Sequence, residues 1–283
     1  MKFSRVAIFG VSSGVRNSCR GLSDRQDYLL AASGADWSPG LGRYMKLCDL
    51  TLASPLENLA CDEVLLDLAE QGEIGELLRL WEPAQYFVVL GYGNKAEVEA
   101  HLPFCRHNNI PVLRRCSGGG TVLQGPGCLN FSLLLSAVAS GAAQNIAATN
   151  ELILKRHAAA LTALLQAPVE IRAPVDLAIG GVKFAGNAQR RRKHFLLFHG
   201  TFLLNLDISL MAKALPMPSS QPAYRLSRSH ADFVMNLKMP AQRIKLALQK
   251  TWKASEPLLE IPFEAITRLA EEKYGRDEWN LKF

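Results

Sequence analysis

The stretch Arg114-Arg115-Cys116-Ser117-Gly118-Gly119-Gly120-Thr121-Val122-Leu123-Gln124-Gly125-Pro126-Gly127-Cys128-Leu129-Asn130 constrains this chain more than any other segment. Three consecutive glycines are entropically costly. A fold keeps them where the backbone needs unusual dihedrals or must approach a ligand closely. They lie between apolar runs that read as strands, so they form a loop at a sheet. Exposed N–H groups of such a loop can cradle an anion, and the two preceding arginines add positive charge. Neighbouring strand residues face opposite sides, so only one of Arg114 and Arg115 points at the loop's ligand. No Gly-Lys-Ser/Thr follows and no helix opens after the glycines, which excludes a P-loop and a dinucleotide fingerprint. A tight hairpin with a bulge is the purely structural alternative. The second turn, Gly125-Pro126-Gly127, counts against it.

With 283 residues the chain makes one large domain or two small ones, long enough to bury a core without disulfides or metals. Hydrophobic residues at 48% and charged residues at 20% argue against disorder and fibrous repeats. No apolar run approaches the ~20 residues that span a bilayer, so no membrane association is expected. The six cysteines form no Cys-x-x-Cys pair, which argues against zinc, and no metal ligands are assigned. Their sparse use points to a reducing, cytoplasmic setting. The net charge of +6 favours acidic partners, but no nucleic-acid-binding signature accompanies it, and no nucleic acid is expected.

Residues 1–44 are Ser-, Gly- and Arg-rich without apolar periodicity. Their longest apolar stretch, VAIFGV, is too short for a signal peptide. A transit peptide fits the Arg/Ser content better. The plainest expectation is a poorly structured extension, or an upstream start codon with Met45 as the functional start. From Met45 the pattern is regular. KLCDLTLA alternates as a strand. Ser54-Pro55-Leu56-Glu57 supplies an N-cap, a proline at the first helical position and a capping-box glutamate for a helix of about four turns. ELLRLW, YFVVLGYG and PVLRR read as strands, with a short helix near Ala96–Phe104. TVLQ and CLNFSLLL read as a strand pair. A helix is predicted over Asn145–Gln166, then strands over VEIR and VDLAIGGVKFAG with Gly180-Gly181 as a hairpin turn, then a buried strand HFLLFHGTFLLNL. Asp207 caps a short helix, MPSSQPAYRLSRSH is a polar loop, and helices near Pro240–Ala254 and Pro262–Tyr274 finish the chain. Frequent hairpins without βαβ alternation favour α+β with a largely antiparallel sheet.

Two further constellations carry chemistry. Lys183, directly after the Gly-Gly turn, can act as a fixed point charge for a carboxylate or phosphate. A solvated lysine on an edge strand is the plainer alternative. Arg190-Arg191-Arg192-Lys193 follows, and Arg191 and Arg192 are expected in a solvated loop. His199-Gly200-Thr201 interrupts an apolar strand. His199 is expected to be a core histidine satisfied by a neighbour, and Gly200 marks a close backbone approach.

Taken in order, Arg114–Val122, Lys183-Phe184-Ala185-Gly186-Asn187-Ala188 and His199-Gly200-Thr201-Phe202-Leu203 resemble the lipoate–protein ligase and octanoyltransferase family, within the biotin/lipoate ligase superfamily. Asn58, Asp62-Glu63 and Leu90-Gly91 also fit, and the resemblance covers most of Met45 to Leu206. It implies a curved, mostly antiparallel sheet with flanking helices, similar to class II aminoacyl-tRNA synthetases. It places a catalytic domain over 45–283, with a helical end at 240–283 and no separate accessory domain. By resemblance, lipoate is activated with ATP, accompanied by Mg²⁺, and placed on a lysine of a lipoyl domain of an E2 subunit or a glycine-cleavage H-like protein. Lys183 would be catalytic, contacting acyl carbonyl and phosphate. Arg115, Gly118, Gly119, Gly120, Thr121, Val122, Leu123, Gly186 and Asn187 would hold the nucleotide. Leu90, Arg115, His199 and Gly200 would contact the substrate, with Leu90, Val122 and Phe184 as walls of an acyl slot. The basic run Arg190–Lys193 would steer an acidic lipoyl domain.

The sequence also departs from that pattern. Gln124-Gly125 stands where ligases have His-Asp. Gln124-Gly125-Pro126-Gly127 is closer to the His-Gly-Pro-Gly of octanoyltransferases, which move octanoate from acyl carrier protein through a cysteine thioester. The stretch before the Lys183 hairpin has no cysteine, and Cys116 and Cys128 read as small packed residues. KYGRDEWNLKF resembles the point at which longer ligases pass into an accessory domain, so either a separate polypeptide is expected to supply that function or this chain carries out only part of the reaction. Three functions therefore stand side by side: ATP-dependent ligase, ATP-independent acyltransferase, and non-catalytic lipoyl-domain-binding protein.

Overall fold

Local sequence sets the first elements. Strand β1 (Met45–Asp49) leads to helix α1 (Pro55–Gln71). The Ser54 side chain accepts from the Glu57 N–H while the Glu57 carboxylate accepts from the Ser54 N–H at 2.9 Å, a closed capping box behind Pro55. Gly72, with φ of 81°, ends the helix in the left-handed conformation. A computed structural model describes residues 44–137, 145–172 and 174–283. The extension expected over residues 1–44 lies, Tyr44 apart, outside the described residues.

Strands β2 (Leu77–Trp81) and β3 (Phe87–Leu90) follow, then short helices α2 (Ala96–Glu99) and α3 (Leu102–His107) in place of the single helix expected near Ala96–Phe104. Ala100 is extended and Pro103 starts the second piece, so one continuous helix cannot form. Next come β4 (Val112–Arg114), β5 (Val122–Gln124), β6 (Cys128–Ser136), α4 (Ile146–Leu165), β7 (Glu170–Arg172), β8 (Asp176–Ile179), β9 (Val182–Arg191) and β10 (Phe195–Leu203). The chain continues with α5 (Ile208–Ala214), α6 (His230–Phe233), α7 (Ala241–Trp252), β11 (Ala254–Pro257), α8 (Phe263–Leu269), a π-helical turn over Ala270–Tyr274, and α9 (Asp277–Asn280).

Among the described residues the main sheet has eight strands in the order β11-β1-β2-β6-β10-β9-β8-β7. Pairs β11–β1 and β1–β2 are parallel and the rest are antiparallel. This is the α+β, mostly antiparallel architecture that hairpin frequency predicts. A second sheet, β4-β3-β5, stands apart. Here the expected pairing of TVLQ with CLNFSLLL is corrected: both are strands, but β5 pairs with β3 and β6 pairs with β2 and β10. The intervening Gly125-Pro126-Gly127 turn redirects the chain between sheets. Gly127, at φ of 88°, packs its Cα against the Asn205–Leu206 backbone, where a Cβ would collide.

Helices α4 and α7 cover one face of the main sheet. Ile153, Leu154, Leu161, Ile244, Leu248 and Trp252 pack there on Phe131, Phe198 and Phe202. Helices α1 and α8 cover the other face, where Leu65, Leu66 and Ile266 meet Leu77, Leu134 and Leu197. A third cluster joins the small sheet to α5 and α6. No helix among the described residues is long and apolar enough to cross a membrane.

Candidate active site

The two arginines before the glycine loop divide as strand alternation requires. Arg114 is fully buried and points away from the loop. Its guanidinium donates to the carbonyls of Gly91, Tyr92, Asn94, Trp279 and Asn280. Arg115 turns towards the glycines. Its Nε donates to Ser117 Oγ at 3.0 Å and its Nη2 to the Gly118 and Gly120 carbonyls at 2.6 and 2.8 Å. No carboxylate pairs with it among the described residues. Burial pushes its pKa down to about 10, and its charge is met by carbonyl and hydroxyl dipoles. Gly119, at φ of 87°, brings the loop against Ala188 of β9, and a Cβ there would also crowd Arg115. At Gly91 a side chain would strike the Gly119 carbonyl.

Loop, β9 and β10 enclose a cavity of about 520 Å³, within the usual range for small-molecule sites. Lys183 enters it from the start of β9, directly after the left-handed Gly180-Gly181 turn. Its ammonium lies 2.7 Å from Asp176 Oδ1, and its side chain is only 24% exposed, so the alternative of a solvated edge lysine fails. Tyr224 donates to the other Asp176 oxygen at 2.7 Å. Gly186 makes room: a Cβ there would stand 2.7 Å from the Lys183 ammonium. Asn187 donates to the Val175 carbonyl and lays its Oδ1 over Gly200, the close approach expected at that glycine.

His199 is satisfied on both nitrogens, Nε2 by Ser117 Oγ at 2.6 Å and Nδ1 by Asp62 Oδ2 at 3.3 Å. Burial would raise the Asp62 carboxyl, but Arg79 at 2.6 Å, His199 and Ser132 hold it below the usual carboxylate range. Gln124, Thr201 and Asn130 close a second hydrogen-bonded ring on the cavity wall. Four residues lining the cavity, Trp81, Asn94, Thr121 and Asn187, each hold a buried polar atom without a partner. Such atoms are costly unless a ligand completes them.

Of the residues expected in the site, Arg115, Gly119, Gly120, Thr121, Val122, Leu123, Lys183, Gly186, Asn187, His199 and Gly200 line this one cavity. Gly118 contributes its carbonyl to Arg115. Leu90 and Phe184 do not line it: both are fully buried, Leu90 under the small sheet and Phe184 in the main core. The apolar wall comes instead from Leu59, Val89, Val122, Phe131, Leu203 and Met211. Within the basic run Arg190 and Arg191 belong to β9 rather than to a solvated loop, Arg192 is half-buried just after it, and Lys193 is exposed. Arg190 donates to the Cys116 carbonyl, Arg191 to Thr149, and Arg192 pairs with Asp67 at 2.6 Å. Sequence reasoning missed Arg225 and His230, which line the cavity from the segment read as a polar loop. Asp176 and Asp62 were visible as acids beside matching motifs, but nothing in the one-dimensional pattern marked their pairing.

The five described cysteines, Cys48, Cys61, Cys105, Cys116 and Cys128, are all buried, and none lines the cavity. Burial pushes the thiols of Cys116 and Cys128 up to about 12, the opposite of nucleophilic activation. Among the described residues no group of three or more His, Cys, Asp or Glu could hold a metal ion.

Known proteins share this arrangement. Over residues 54–251 the chain matches the family described as the lipoyl protein ligase A/B catalytic domain. It is 28% identical to an octanoyltransferase LipM of Geobacillus kaustophilus over 84% of this chain and 98% of that protein. It is 25% identical to lipoate-protein ligase A subunit 1 of Thermoplasma acidophilum, covering 79% of this chain and 91% of the relative. The fold superposes on the bipartite lipoate protein ligase of T. acidophilum with a TM-score of 0.70, at 22% identity over 84% of this chain and 96% of that one. A lipoate-protein ligase A bound with ATP gives 0.69, at 23% identity over 84% and 99%. The motif match, the shared fold and a cavity built from the matching motifs converge on one conclusion: the chain is an enzyme of the lipoyl protein ligase A/B catalytic-domain family.

Proposed function

We propose that this enzyme activates lipoate or octanoate with ATP to an acyl-adenylate and transfers the acyl group to a lysine of a lipoyl domain. The observation that carries the reading is a cavity that holds fixed cations and that no described cysteine reaches. Lys183, Arg115 and Arg225 all line it, Arg115 without a carboxylate partner among the described residues. A carboxylate attacking an α-phosphate brings two anions together, and fixed cations with backbone N–H donors offset that repulsion. The recessed, partly open cavity also limits the access of water to a mixed anhydride. In transfer, Lys183 polarises the acyl carbonyl, the neutral acceptor amine attacks it, the acyl–phosphate bond breaks to expel AMP, and the amine's extra proton leaves to solvent, so no protein nucleophile is needed. Arg115, the loop from Gly118 to Leu123, Gly186 and Asn187 hold the nucleotide, and the unpaired polar atoms of Asn94, Thr121 and Asn187 fit a ligand rich in hydrogen-bonding groups. Mg²⁺ arrives with ATP, coordinated by its phosphates. Residues 45–283 form the catalytic unit. Acceptors are lipoyl domains of E2 subunits or an H-like protein. The bipartite T. acidophilum ligase is described with its own E2 lipoyl domain, which supports that class.

A second reading, direct transfer from an acyl-carrier thioester, is favoured by the octanoyltransferase names of several relatives. One experiment separates the two. Purified enzyme and a lipoyl domain are given lipoate or octanoyl-carrier protein, each with and without ATP. Modification that needs ATP and releases pyrophosphate supports the ligase. Octanoyl transfer without ATP replaces it with the transferase, and binding without turnover rejects both.

A further inference from the structure

Asp62, held ionised by Arg79, can only accept hydrogen bonds, and Arg115 can only donate them, so the two ends of one line have fixed directions. His199 Nδ1 faces Asp62 Oδ2 at 3.3 Å and carries a proton there. In the neutral imidazole Nε2 then accepts from the Ser117 hydroxyl at 2.6 Å, while Ser117 Oγ accepts from Arg115 Nε at 3.0 Å. Asp62 is anchored by Arg79 and by Ser132 Oγ at 2.7 Å. The line crosses α1, β10 and the glycine loop, and both Ser117 and Asp62 are almost fully buried. Neither imidazole nitrogen is free to meet a substrate. The line ends on the guanidinium whose other arm grips the Gly118 and Gly120 carbonyls.

We infer that Asp62, His199 and Ser117 form a positioning line that sets Arg115 and the glycine loop for the acyl donor. This rests on the proposed role of Arg115 in donor binding, whichever donor is used. Severing the line at Ser117 or at His199 leaves Arg115 in place but frees it to rotate off its loop carbonyls. The two breaks act through one guanidinium, so their effects do not multiply. His199→Gln keeps one acceptor and one donor in the same neutral polarity and preserves the line.

The test uses the full-length enzyme with the donor that supports turnover. KM for donor and for lipoyl domain is measured in wild type, Ser117→Ala, His199→Leu, the double variant and His199→Gln, with thermal midpoints alongside. Each single break is expected to raise donor KM about tenfold, as for loss of one hydrogen bond to a charged group, with acceptor KM within about twofold. The double variant should match the singles, and His199→Gln should stay near wild type. Donor and acceptor KM rising together, unchanged donor KM, or a double variant showing the product of the singles would each overturn the line. Should His199→Leu fail to fold, Ser117→Ala and His199→Gln still decide. A wild type that turns over neither donor instead rejects the proposed function, and is told apart by that.

Discussion

Lys183 depends on an empty space as much as on a charge. Gly186 leaves the volume into which the ammonium folds towards Asp176. Lys183→Ala is expected to lower single-turnover transfer about 10²–10³-fold, the scale of losing one preorganised donor, with the thermal midpoint little changed. Gly186→Ala keeps the lysine but displaces its tip, so activity should fall while Asp176 pairing weakens; an unchanged rate would show that the tip has slack. His157 carries a pH dependence. It is buried, accepts from Trp252 Nε1 at 2.8 Å, and burial holds its pKa down to about 3. The folded state thus binds its proton far less readily than the unfolded chain. Between roughly pH 6.5 and 3 the unfolded state holds more protons, so stability falls as pH falls through that window. Thermal midpoints measured from pH 7 to 5 should decline in wild type. His157→Gln, which still accepts from Trp252, should flatten that slope.

At the scale of elements, the segments that signalled themselves locally were legible. The capping box before α1, the Gly180-Gly181 hairpin, Asn145 before α4 and Asp207 before α5 all act through neighbours within four residues. Partnerships set over long separations were not. Nothing in TVLQ or CLNFSLLL says that they join different sheets; Gly127 lying against Asn205 decides it, across the sequence distance of the whole β7–β10 meander. Gly127→Ala combines a left-handed φ with a backbone collision and should destabilise by about 2 kcal/mol or more, read by chemical denaturation. Strand β11 escaped because Ala-Ser-Glu-Pro has no alternation; it is a strand only because Met45–Leu47 offers a parallel partner. The site followed the same division. Motif residues next to turns were visible, whereas Asp62, Arg225 and His230 join it only through folding. Leu90 and Phe184 show the converse error: apolar residues inside a motif were read as pocket walls, yet the core claimed them.

Across the whole molecule, the carboxyl-terminal segment is tied to the site from behind. Asn280 accepts from the Arg114 N–H at 2.8 Å, Trp279 donates its indole N–H to the Arg114 carbonyl, and Arg114 returns bonds to both backbones. Asn280 also donates to the Tyr274 carbonyl, and Tyr274 in turn donates to Glu63 of α1. Asn280→Ala removes a buried acceptor and a buried donor, which costs about 1–3 kcal/mol, and should lower the denaturation midpoint accordingly. The same change should weaken donor binding, because Arg114 braces the strand from which the glycine loop departs.

The main sheet ends on β7 at one side and β11 at the other. The first runs for three residues and the second for four, and β11 closes with Glu256 and Pro257. A short border that carries a charge and a residue lacking an N–H offers little template to a stray strand. The sheet is thereby protected against sticking to other proteins, or to its own copies, through backbone pairing.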